Sequence, residues 1–128
     1  MLITDPRQPD NPIVFANDAF SKLTGYGRDE VLGRNCRFLQ GPETDRGDIG
    51  RVKEAIRQRV PIELDLRNHR KDGTLFWNRI YLAPVFDAEG ELTHFFASQF
   101  DVTREKDRPS IFARLGTLLR SKSGAPSA

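Results

Sequence analysis

The segment from Ile62 to Thr103 constrains the fold most, because it alternates apolar and polar residues with the two-residue period of a β-strand. Its first stretch, IELDLRN, places aliphatic side chains on one face and charged side chains on the other. KDGT and DAEG interrupt the alternation, and both have the composition of hairpin turns. The segment therefore predicts three long antiparallel strands.

The preceding residues predict shorter elements. LIT and PIVFAN have the composition of short strands, and NDAFSKLTGYG predicts a helix that Asn17 or Asp18 caps and Gly25 ends. GRDEVLGRNCRFLQG predicts two short helical turns, and ETDRGDIGRVKEAIRQRV predicts the longest helix, capped by Thr44 or Asp45. Together they predict an α+β fold in which short helices pack on one face of an antiparallel sheet of about five strands.

Length and composition favour a single globular domain. The chain has 128 residues, of which 38% are hydrophobic and 30% are charged, and no apolar run approaches the roughly 18 residues that a membrane-spanning helix needs. A single cysteine cannot form an internal disulfide, which favours the cytoplasm, and with two histidines it makes a poor metal site. We expect a core over residues 1–103, a C-terminal helix over 104–122 and a flexible tail over 123–128.

The charge is distributed unevenly along the chain. Residues 1–100 carry fourteen Lys/Arg against fifteen Asp/Glu, whereas the residues from Asp101 onward carry six against three. The body of the chain is therefore close to electrically neutral, which argues against nucleic-acid binding by the body and leaves the basic tail open. We interpret the cations of the tail as a solvated helix face rather than a contact with DNA or lipid.

Three carboxamide side chains fall on the apolar face of the predicted sheet. If the hairpin loops are residues 72–74 and 87–90, Asn68 lies opposite Asn78, and Asn78 lies opposite Gln99. Buried amides without partners cost about 1–3 kcal/mol each, so this row needs polar partners. Two interpretations are open: the amides satisfy one another or the backbone, or they bind a flat heteroaromatic ligand along one edge.

The only cysteine lies in the motif NCRFLQ, which resembles the hallmark of the LOV domains, the flavin-binding blue-light sensors of the PAS superfamily. VFANDAFSKLTGYGRDEVLGRNCRFLQGPETD, RNHRKDGTLFWN and FFASQFDVT also resemble LOV segments, in the same order and at compatible spacing. The resemblance covers residues 2–103. It implies a PAS-like fold and a photosensory module rather than an enzyme.

The resemblance implies roles for individual residues. Cys36 matches the cysteine that forms a reversible, light-driven bond to the C4a carbon of the flavin. Asn68 and Asn78 match asparagines that bind the pyrimidine edge of the isoalloxazine ring. Gln99 matches the glutamine near flavin N5 and O4, which reorients when N5 becomes protonated and passes the signal through the sheet to the C-terminal helix.

Further positions are expected to contribute to the cofactor site. Asn35 and Gln40 match residues that contact the ribityl chain or polar groups of the ring, and Leu39 belongs to an uncharged wall around the cysteine. Arg37 matches an arginine that pairs with the FMN phosphate. Lys53 stands where many family members have a second phosphate-binding arginine, and a lysine is a point charge rather than a bidentate fork. FMN is therefore the expected cofactor, with riboflavin or FAD as alternatives.

The outer face of the predicted sheet and the tail indicate an output surface. The register that turns the amides inward turns four aromatic side chains outward: Trp77, Tyr81, Phe96 and Phe100. After Pro109, apolar residues recur at helical spacing: Ile111, Phe112, Leu115, Leu118 and Leu119. We expect this face and helix to form a homodimer interface; the alternatives are an interface with a different partner protein and a helix that packs on its own sheet.

Two other functions compete with a flavin photosensor. One is a PAS-type interaction module without photochemistry, which a colourless protein that takes up no flavin would favour. The other is a flavin oxidoreductase, which is weaker because the sequence shows no G-x-G-x-x-G nicotinamide fingerprint and no candidate substrate pocket. No kinase, helix-turn-helix or phosphodiesterase segment follows, so we expect the effector to be a separate protein or part of a longer chain.

Overall fold

A five-stranded antiparallel sheet forms the centre of the domain in the computed structural model, which describes residues 1–107. In chain order the strands are β1 (Leu2–Thr4), β2 (Ile13–Ala16), β3 (Ile62–His69), β4 (Leu75–Phe86) and β5 (Leu92–Asp101). Across the sheet their order is β2-β1-β5-β4-β3, so the two short strands extend the three long ones at the β5 edge. The predicted α+β fold is confirmed.

The helices lie where the capping residues predict them. They are α1 (Asp18–Thr24), α2 (Arg28–Val31), α3 (Arg46–Gln58) and α4 (Thr103–Asp107), with a 3-10 turn at Cys36–Leu39. Asn17 Oδ1 accepts from Phe20 N at 3.0 Å, and Asp45 Oδ1 accepts from Asp48 N at 2.9 Å. Gly25 ends α1 with a φ of 80°, which glycine adopts without a Cβ clash. Among residues 1–107, no helix is both long and apolar enough to cross a membrane.

Only the start of the predicted C-terminal helix falls within the described residues. It begins as α4, where Asp101 Oδ1 accepts from Thr103 N at 2.9 Å. The rest of the 104–122 segment, with the apolar residues from Ile111 onward, lies outside the described residues. The same holds for the tail over 123–128, so the predicted division of the C-terminal region stays a prediction.

The register of both long hairpins differs from the prediction by two residues. Asn68 lies opposite Phe76 rather than Asn78, and Gln99 lies opposite Ile80 rather than Asn78. The predicted pairing of the amides was therefore wrong. The predicted faces were right, because a shift of two residues returns every side chain to the same side of the sheet.

Side-chain hydrogen bonds within the first turn explain the shift between β3 and β4. Arg70 N donates to Thr74 O at 2.8 Å, so the loop is residues 71–73 rather than 72–74. Asp72 Oδ1 accepts from both the backbone nitrogen and the hydroxyl of Thr74, at 2.9 and 2.7 Å. These bonds close the turn one residue earlier than the sequence pattern indicated.

The shift between β4 and β5 has two sources. Asp87 N donates to Glu91 O at 2.9 Å, so the loop is residues 88–90 rather than 87–90. An irregularity between Val85 and Phe86 then moves the register by one more residue. A bulge of this kind has no reliable local sequence signal, and it bends the ladder near the end of the hairpin.

The core lies between the inner face of the sheet and the helices. It is formed by buried apolar residues of β1, β2, β4, β5, α1, α2 and the 3-10 turn: Leu2, Ile13, Ala16, Phe20, Val31, Leu39, Leu82, Phe95 and Ala97. The part of the inner face that carries the three amides is left facing a cavity.

Candidate functional site

A cavity separates the inner face of the sheet from the helical side of the domain. The space between atoms in it is about 620 Å³ when the open solvent at its mouth is included. The sheet contributes Leu2, Thr4, Leu66, Asn68, Asn78, Ile80, Leu82, Ala97 and Gln99. The helical side and the loop before β2 contribute Asn11, Cys36, Leu39, Gln40, Val52 and Ile56. An apolar lining with a few polar groups is typical of a small-molecule site.

The three predicted carboxamides lie together on the sheet wall of this cavity. Asn68 and Asn78 are 2% and 0% exposed, and Asn78 Nδ2 donates to Asn68 Oδ1 at 3.0 Å. Asn68 Nδ2 donates to the carbonyl oxygen of Arg67 at 3.1 Å, and Gln99 Nε2 reaches that of Ala97 only at 3.4 Å. The amides are diagonal neighbours across the strands rather than opposite partners.

Four polar atoms of the cavity wall have no hydrogen-bond partner among residues 1–107: Asn78 Oδ1, Gln99 Oε1, Thr4 Oγ1 and Asn11 Oδ1. In the same part of the chain, the other buried side-chain atom without a partner is Arg67 Nε. A buried polar group left unsatisfied costs about 1–3 kcal/mol. The amides therefore do not satisfy one another completely, and the wall fits a ligand that presents several polar atoms along one edge.

Thr4 and Asn11 are the polar wall residues that sequence reasoning missed. Thr4 lies on the inward face of β1, two residues after Leu2. Because residues two apart on a strand point to the same face, this spacing could have predicted that Thr4 faces the cavity. Asn11 follows Asp10 in the loop between β1 and β2, and the two residues have φ values of 50° and 67°. The sequence PDN indicated a turn, and no local pattern shows that its asparagine lines a cavity.

Cys36 lines the helical wall of the cavity. It begins the 3-10 turn, which Asn35 caps by accepting from Arg37 N at 2.9 Å. The side chain is solvent-accessible because it opens into the cavity. Even so, the surrounding protein desolvates the thiol and raises its pKa, an effect that the charge of Arg37 opposes only in part. The protonated thiol is therefore the resting form at neutral pH.

Leu39 and Gln40, at the end of the same turn, also line the cavity, and Leu39 is buried. The turn is held by aromatic packing of Phe38, whose ring meets that of Tyr26 edge-on with 4.9 Å between centroids. Arg34 lies over the ring of Phe38 at 4.2 Å. These contacts fix the segment that carries the cysteine.

The loop after the turn is attached to β3. A Cβ atom on Gly41 would come within 2.0 Å of His69 Cε1, so a larger residue at this position would have to displace the His69 ring. His69 Nε2 lies 3.0 Å from Glu43 Oε2, and Thr44 Oγ1 donates to the carbonyl oxygen of Arg67 at 2.5 Å. The cysteine turn and the amide strand are thereby held at a fixed separation.

Asn35, Arg37 and Lys53 are not among the residues that line the cavity. Asn35 Nδ2 donates to the carbonyl oxygen of Asp10 at 2.8 Å. Arg37 donates to both carboxylate oxygens of Asp10, with 2.9 Å between Nη1 and Oδ1. Lys53 is exposed on α3 and takes part in none of the ion pairs formed within residues 1–107. Their contact with a cofactor stays a prediction.

The outer face of the sheet carries the four predicted aromatic residues, of which Trp77 and Phe96 are half-buried and Tyr81 and Phe100 are exposed. Phe100 is the most accessible, at 65%. The start of α4 covers the end of this face near Trp77. Trp77 N donates to Thr103 Oγ1 at 2.9 Å, and Lys106 Nζ lies 5.1 Å from the centre of the indole ring.

An ionic network ties α4 to the outer face. Asp65 accepts from Arg79 Nε at 2.8 Å and lies 2.9 Å from Lys106 Nζ, and Arg79 also contacts Glu105 at 3.3 Å. The hydrogen bond from Arg79, together with Lys106, holds the pKa of Asp65 below its ordinary value despite desolvation. The carboxylate is therefore ionised at neutral pH.

Comparisons with known proteins define the class. The family profile described as PAS domain matches residues 1–104. The chain therefore belongs to the PAS domain family. Within it, the light-state structure of the blue-light photoreceptor Aureochrome1 LOV is 40% identical with a TM-score of 0.77, covering 94% of this chain and 89% of that chain.

Two further comparisons agree with this assignment. The LOV domain from the Erythrobacter litoralis EL346 blue-light activated histidine kinase is 41% identical with a TM-score of 0.77, covering 80% of this chain and 94% of that chain. A Brucella canis protein named blue-light-activated histidine kinase is 57% identical over 108 residues. The match covers 84% of this chain and 22% of that relative, so the chain spans about a fifth of its length. The chain is a LOV domain, as its cysteine motif predicted.

Proposed function

We propose that the chain is the blue-light-sensing module of a signalling protein, and that its chromophore is a flavin held in the cavity. The observation that carries the proposal is that Cys36 and three inward carboxamides line one cavity whose wall contains unpartnered polar atoms. The names of similar proteins support it, since both the Brucella and the Erythrobacter relatives are called blue-light-activated histidine kinases. The kinase to which those names refer lies outside the part matched here.

The polar wall suits the edge of an isoalloxazine ring. The pyrimidine end of that ring alternates carbonyl acceptors with an N–H donor, and a carboxamide offers both a donor and an acceptor without charge. Asn68 and Asn78 would hold this edge, while Leu66, Ile80 and Leu82 supply apolar surface for the flat faces. FMN is the proposed form, with riboflavin and FAD as alternatives.

The bound flavin would supply light absorption and an electrophilic carbon, and Cys36 would supply the rest. We propose that Cys36 Sγ bonds to the C4a carbon while the thiol proton moves to N5, so that the addition needs no external oxidant or reductant. A raised pKa suits this role, because the resting thiol then carries the proton that the addition consumes. Thermal reversal breaks the bond and restores the thiol, which makes the module a switch rather than an enzyme.

Gln99 is the proposed reporter of the photochemical state. Its Oε1 has no partner within residues 1–107, and its Nε2 makes only a long contact of 3.4 Å to Ala97 O, so reorientation of the amide disrupts little. Protonation of a ring nitrogen turns an acceptor into a donor and would favour the opposite amide orientation. Asp101 follows on the same strand and holds the start of α4 through Thr103 N, which gives a short route to the C-terminal segment.

Absorption spectroscopy on the purified chain tests the proposal. We expect a yellow protein that bleaches under blue light and recovers in darkness. Cys36→Ala should keep the flavin and its fluorescence but lose the bleaching, and Cys36→Ser is the matched variant that retains a small polar side chain. Bleaching that persisted in both variants would exclude bond formation at this residue. A colourless protein that takes up no added flavin would favour a PAS-type interaction module instead.

We further propose that the outer sheet face forms a homodimer contact. Phe100 and Tyr81 leave large aromatic surface exposed on it, and exposed aromatic surface of this kind is typical of interfaces. Light scattering on the wild-type chain and on Phe100→Glu measures the oligomeric state. A wild-type mass equal to that of the monomer at high concentration would contradict the dimer. That residues beyond 107 contribute to this dimer interface stays a prediction. The cytoplasmic location of the protein also stays a prediction.

A further inference from the structure

The ion pair between Asp10 and Arg37 lies at the rim of the cavity. Arg37 directly follows Cys36, Asp10 directly precedes Asn11, and both of these neighbours line the cavity. The side chains of Arg37 and Asp10 are 57% and 58% exposed. The pair therefore sits where the cavity wall meets solvent, on the side of the cysteine turn.

The loop that carries Asp10 is held in place without its carboxylate. Asp10 and Asn11 both adopt positive φ, a conformation that isolated non-glycine residues disfavour. Asn35 Nδ2 donates to the backbone oxygen of Asp10 at 2.8 Å, and Ile13 N donates to the carbonyl oxygen of Arg34 at 2.8 Å. Removing the charge of Asp10 alone should therefore leave the loop against the cysteine turn.

The carboxylate of Asp10 engages both terminal nitrogens of Arg37. Nη1 and Nη2 of Arg37 each donate one hydrogen bond to Asp10, so the pair of hydrogens that faces the carboxylate is occupied and the other three N–H donors are left for another acceptor. The same hydrogen bonds hold the pKa of Asp10 below its ordinary value, so the carboxylate is ionised at neutral pH. A phosphate monoester carries about 1.5 to 2 negative charges at this pH. It must either displace Asp10 from Arg37 or bind beside a like charge.

We propose that Asp10 is a specificity determinant of the flavin site, whose carboxylate occupies Arg37 and thereby reduces the preference for a flavin with a terminal phosphate over riboflavin. This role rests on the proposed flavin function and adds to it a residue that selects among flavins. FMN and riboflavin share the ring that the inner amides would contact. The ratio of their affinities therefore measures the contribution of the residues at the rim, separately from that of the amides. Lys53 and Arg46 are the cations of α3 that form no ion pair within residues 1–107.

Titration of the flavin-free full chain with FMN and with riboflavin, followed by flavin fluorescence, tests this role. Asp10→Asn removes the charge, keeps the size of the side chain and tolerates positive φ at least as well. We expect the FMN affinity to rise about fivefold, with riboflavin affinity unchanged within about twofold, since exposed ion pairs of good geometry are worth this much. At about 1 M salt the increase in FMN affinity should shrink. Screening by salt weakens both the Asp10–Arg37 ion pair and the interaction of the phosphate with these two charges.

Two further variants serve as controls. Asp18→Asn removes the same charge from an exposed pair with Arg28, at 3.0 Å, outside the cavity lining, and should leave the affinity ratio unchanged. Arg37→Gln should lower the preference for FMN. In the Arg37→Gln background, Asp10→Asn should lose its effect, because a double-mutant cycle isolates the coupling between the two side chains.

Each outcome decides the role of Asp10. If the ratio of FMN affinity to riboflavin affinity falls in Asp10→Asn, Asp10 orients Arg37 toward the phosphate, which is the opposite of the proposal. An unchanged ratio, or equal changes for FMN and riboflavin, would also overturn it while leaving the flavin function intact. Failure of the unmodified chain to bind either flavin would overturn both.

Discussion

The two faces of the long strands differ in how their polar groups are satisfied. On the inner face, Asn78 and Gln99 leave acceptor atoms without partners among residues 1–107. On the outer face, Asp65 is bonded to both Arg79 and Lys106. Polar groups on one sheet thus serve two purposes, and the presence or absence of an internal partner distinguishes a binding wall from a structural contact.

The unpartnered acceptors of the inner face affect the stability of the fold, whereas the paired charges of the outer face do not depend on a ligand. Unpartnered buried acceptors make the flavin-free domain less stable than its packing alone would allow. A ligand that binds the folded state and satisfies these atoms stabilises the fold by mass action. The outer network gains nothing from such a ligand, because its charges are already paired within the chain.

Removing one phenylalanine from each face gives the largest expected contrast. Phe76 is 0% exposed on the inner face, and Phe100 is 65% exposed on the outer face. Phe76→Ala should lower the free energy of unfolding by about 3–5 kcal/mol because it leaves a cavity in the core. Phe100→Ala should change it by less than about 0.5 kcal/mol. Urea denaturation followed by circular dichroism measures both, and similar losses would contradict the contrast in packing.

Replacing Asn78 with leucine separates binding from stability. The change removes an unpartnered acceptor but also the donor to Asn68, so the free energy of unfolding of the flavin-free chain should stay within about 1 kcal/mol of the original value. Flavin affinity should fall at least about tenfold, equivalent to about 1.4 kcal/mol. Parallel denaturation and flavin titration measure the two effects. Lost stability with retained affinity would indicate a purely structural amide.

Acidification should break the ion pairs that Asp65 forms on the outer face. The expected loss in the free energy of unfolding is about 1 kcal/mol, the smallest of these effects. Its pKa is lowered in the folded state, chiefly by the hydrogen bond from Arg79. The contact is therefore stabilising above the ordinary aspartate pKa and is lost as the pH falls through the folded value, below about pH 4. Trp77, the only tryptophan, lies 5.1 Å from Lys106 Nζ, so its fluorescence should report the loss.

The control for this pH effect is Asp65→Asn, which should show the acid-type fluorescence already at neutral pH. Circular dichroism on the same samples separates release of α4 from global unfolding. Asp18→Asn removes a charge from the exposed pair with Arg28 and should keep the wild-type transition. A Trp77 signal that is identical in all three proteins across the acid range would exclude the ionic attachment of α4.

The sequence predicted the inner wall correctly in spite of an incorrect register. Alternation assigns each residue to a face, and an error of two residues preserves that assignment. Asn68, Asn78 and Gln99 therefore reach the same cavity although none lies opposite another. The exact pairing depended on hydrogen bonds of Asp72 within its turn and on an irregularity in the second hairpin, which residue type alone does not specify.

The rim of the cavity was less predictable than its wall. Cys36, Leu39 and Gln40 line the cavity, and their contact with a flavin stays a prediction. Asn35 and Arg37 instead bind Asp10, which lies 25 and 27 residues earlier in the chain. Nothing near the cysteine motif indicates that this carboxylate approaches it.

By itself, the sequence determined the fold class, the helix caps and the residues that face inward. These features depend on periodicity and on side chains that act within a few residues of their own backbone. Only the tertiary structure decided which inward polar atoms lack partners, that Thr4 and Asn11 join them, and that Arg37 is already paired at the rim. Those features depend on contacts between segments that are distant in the sequence. The geometry of these contacts is set by the packing of the whole domain rather than by the local preferences of each segment.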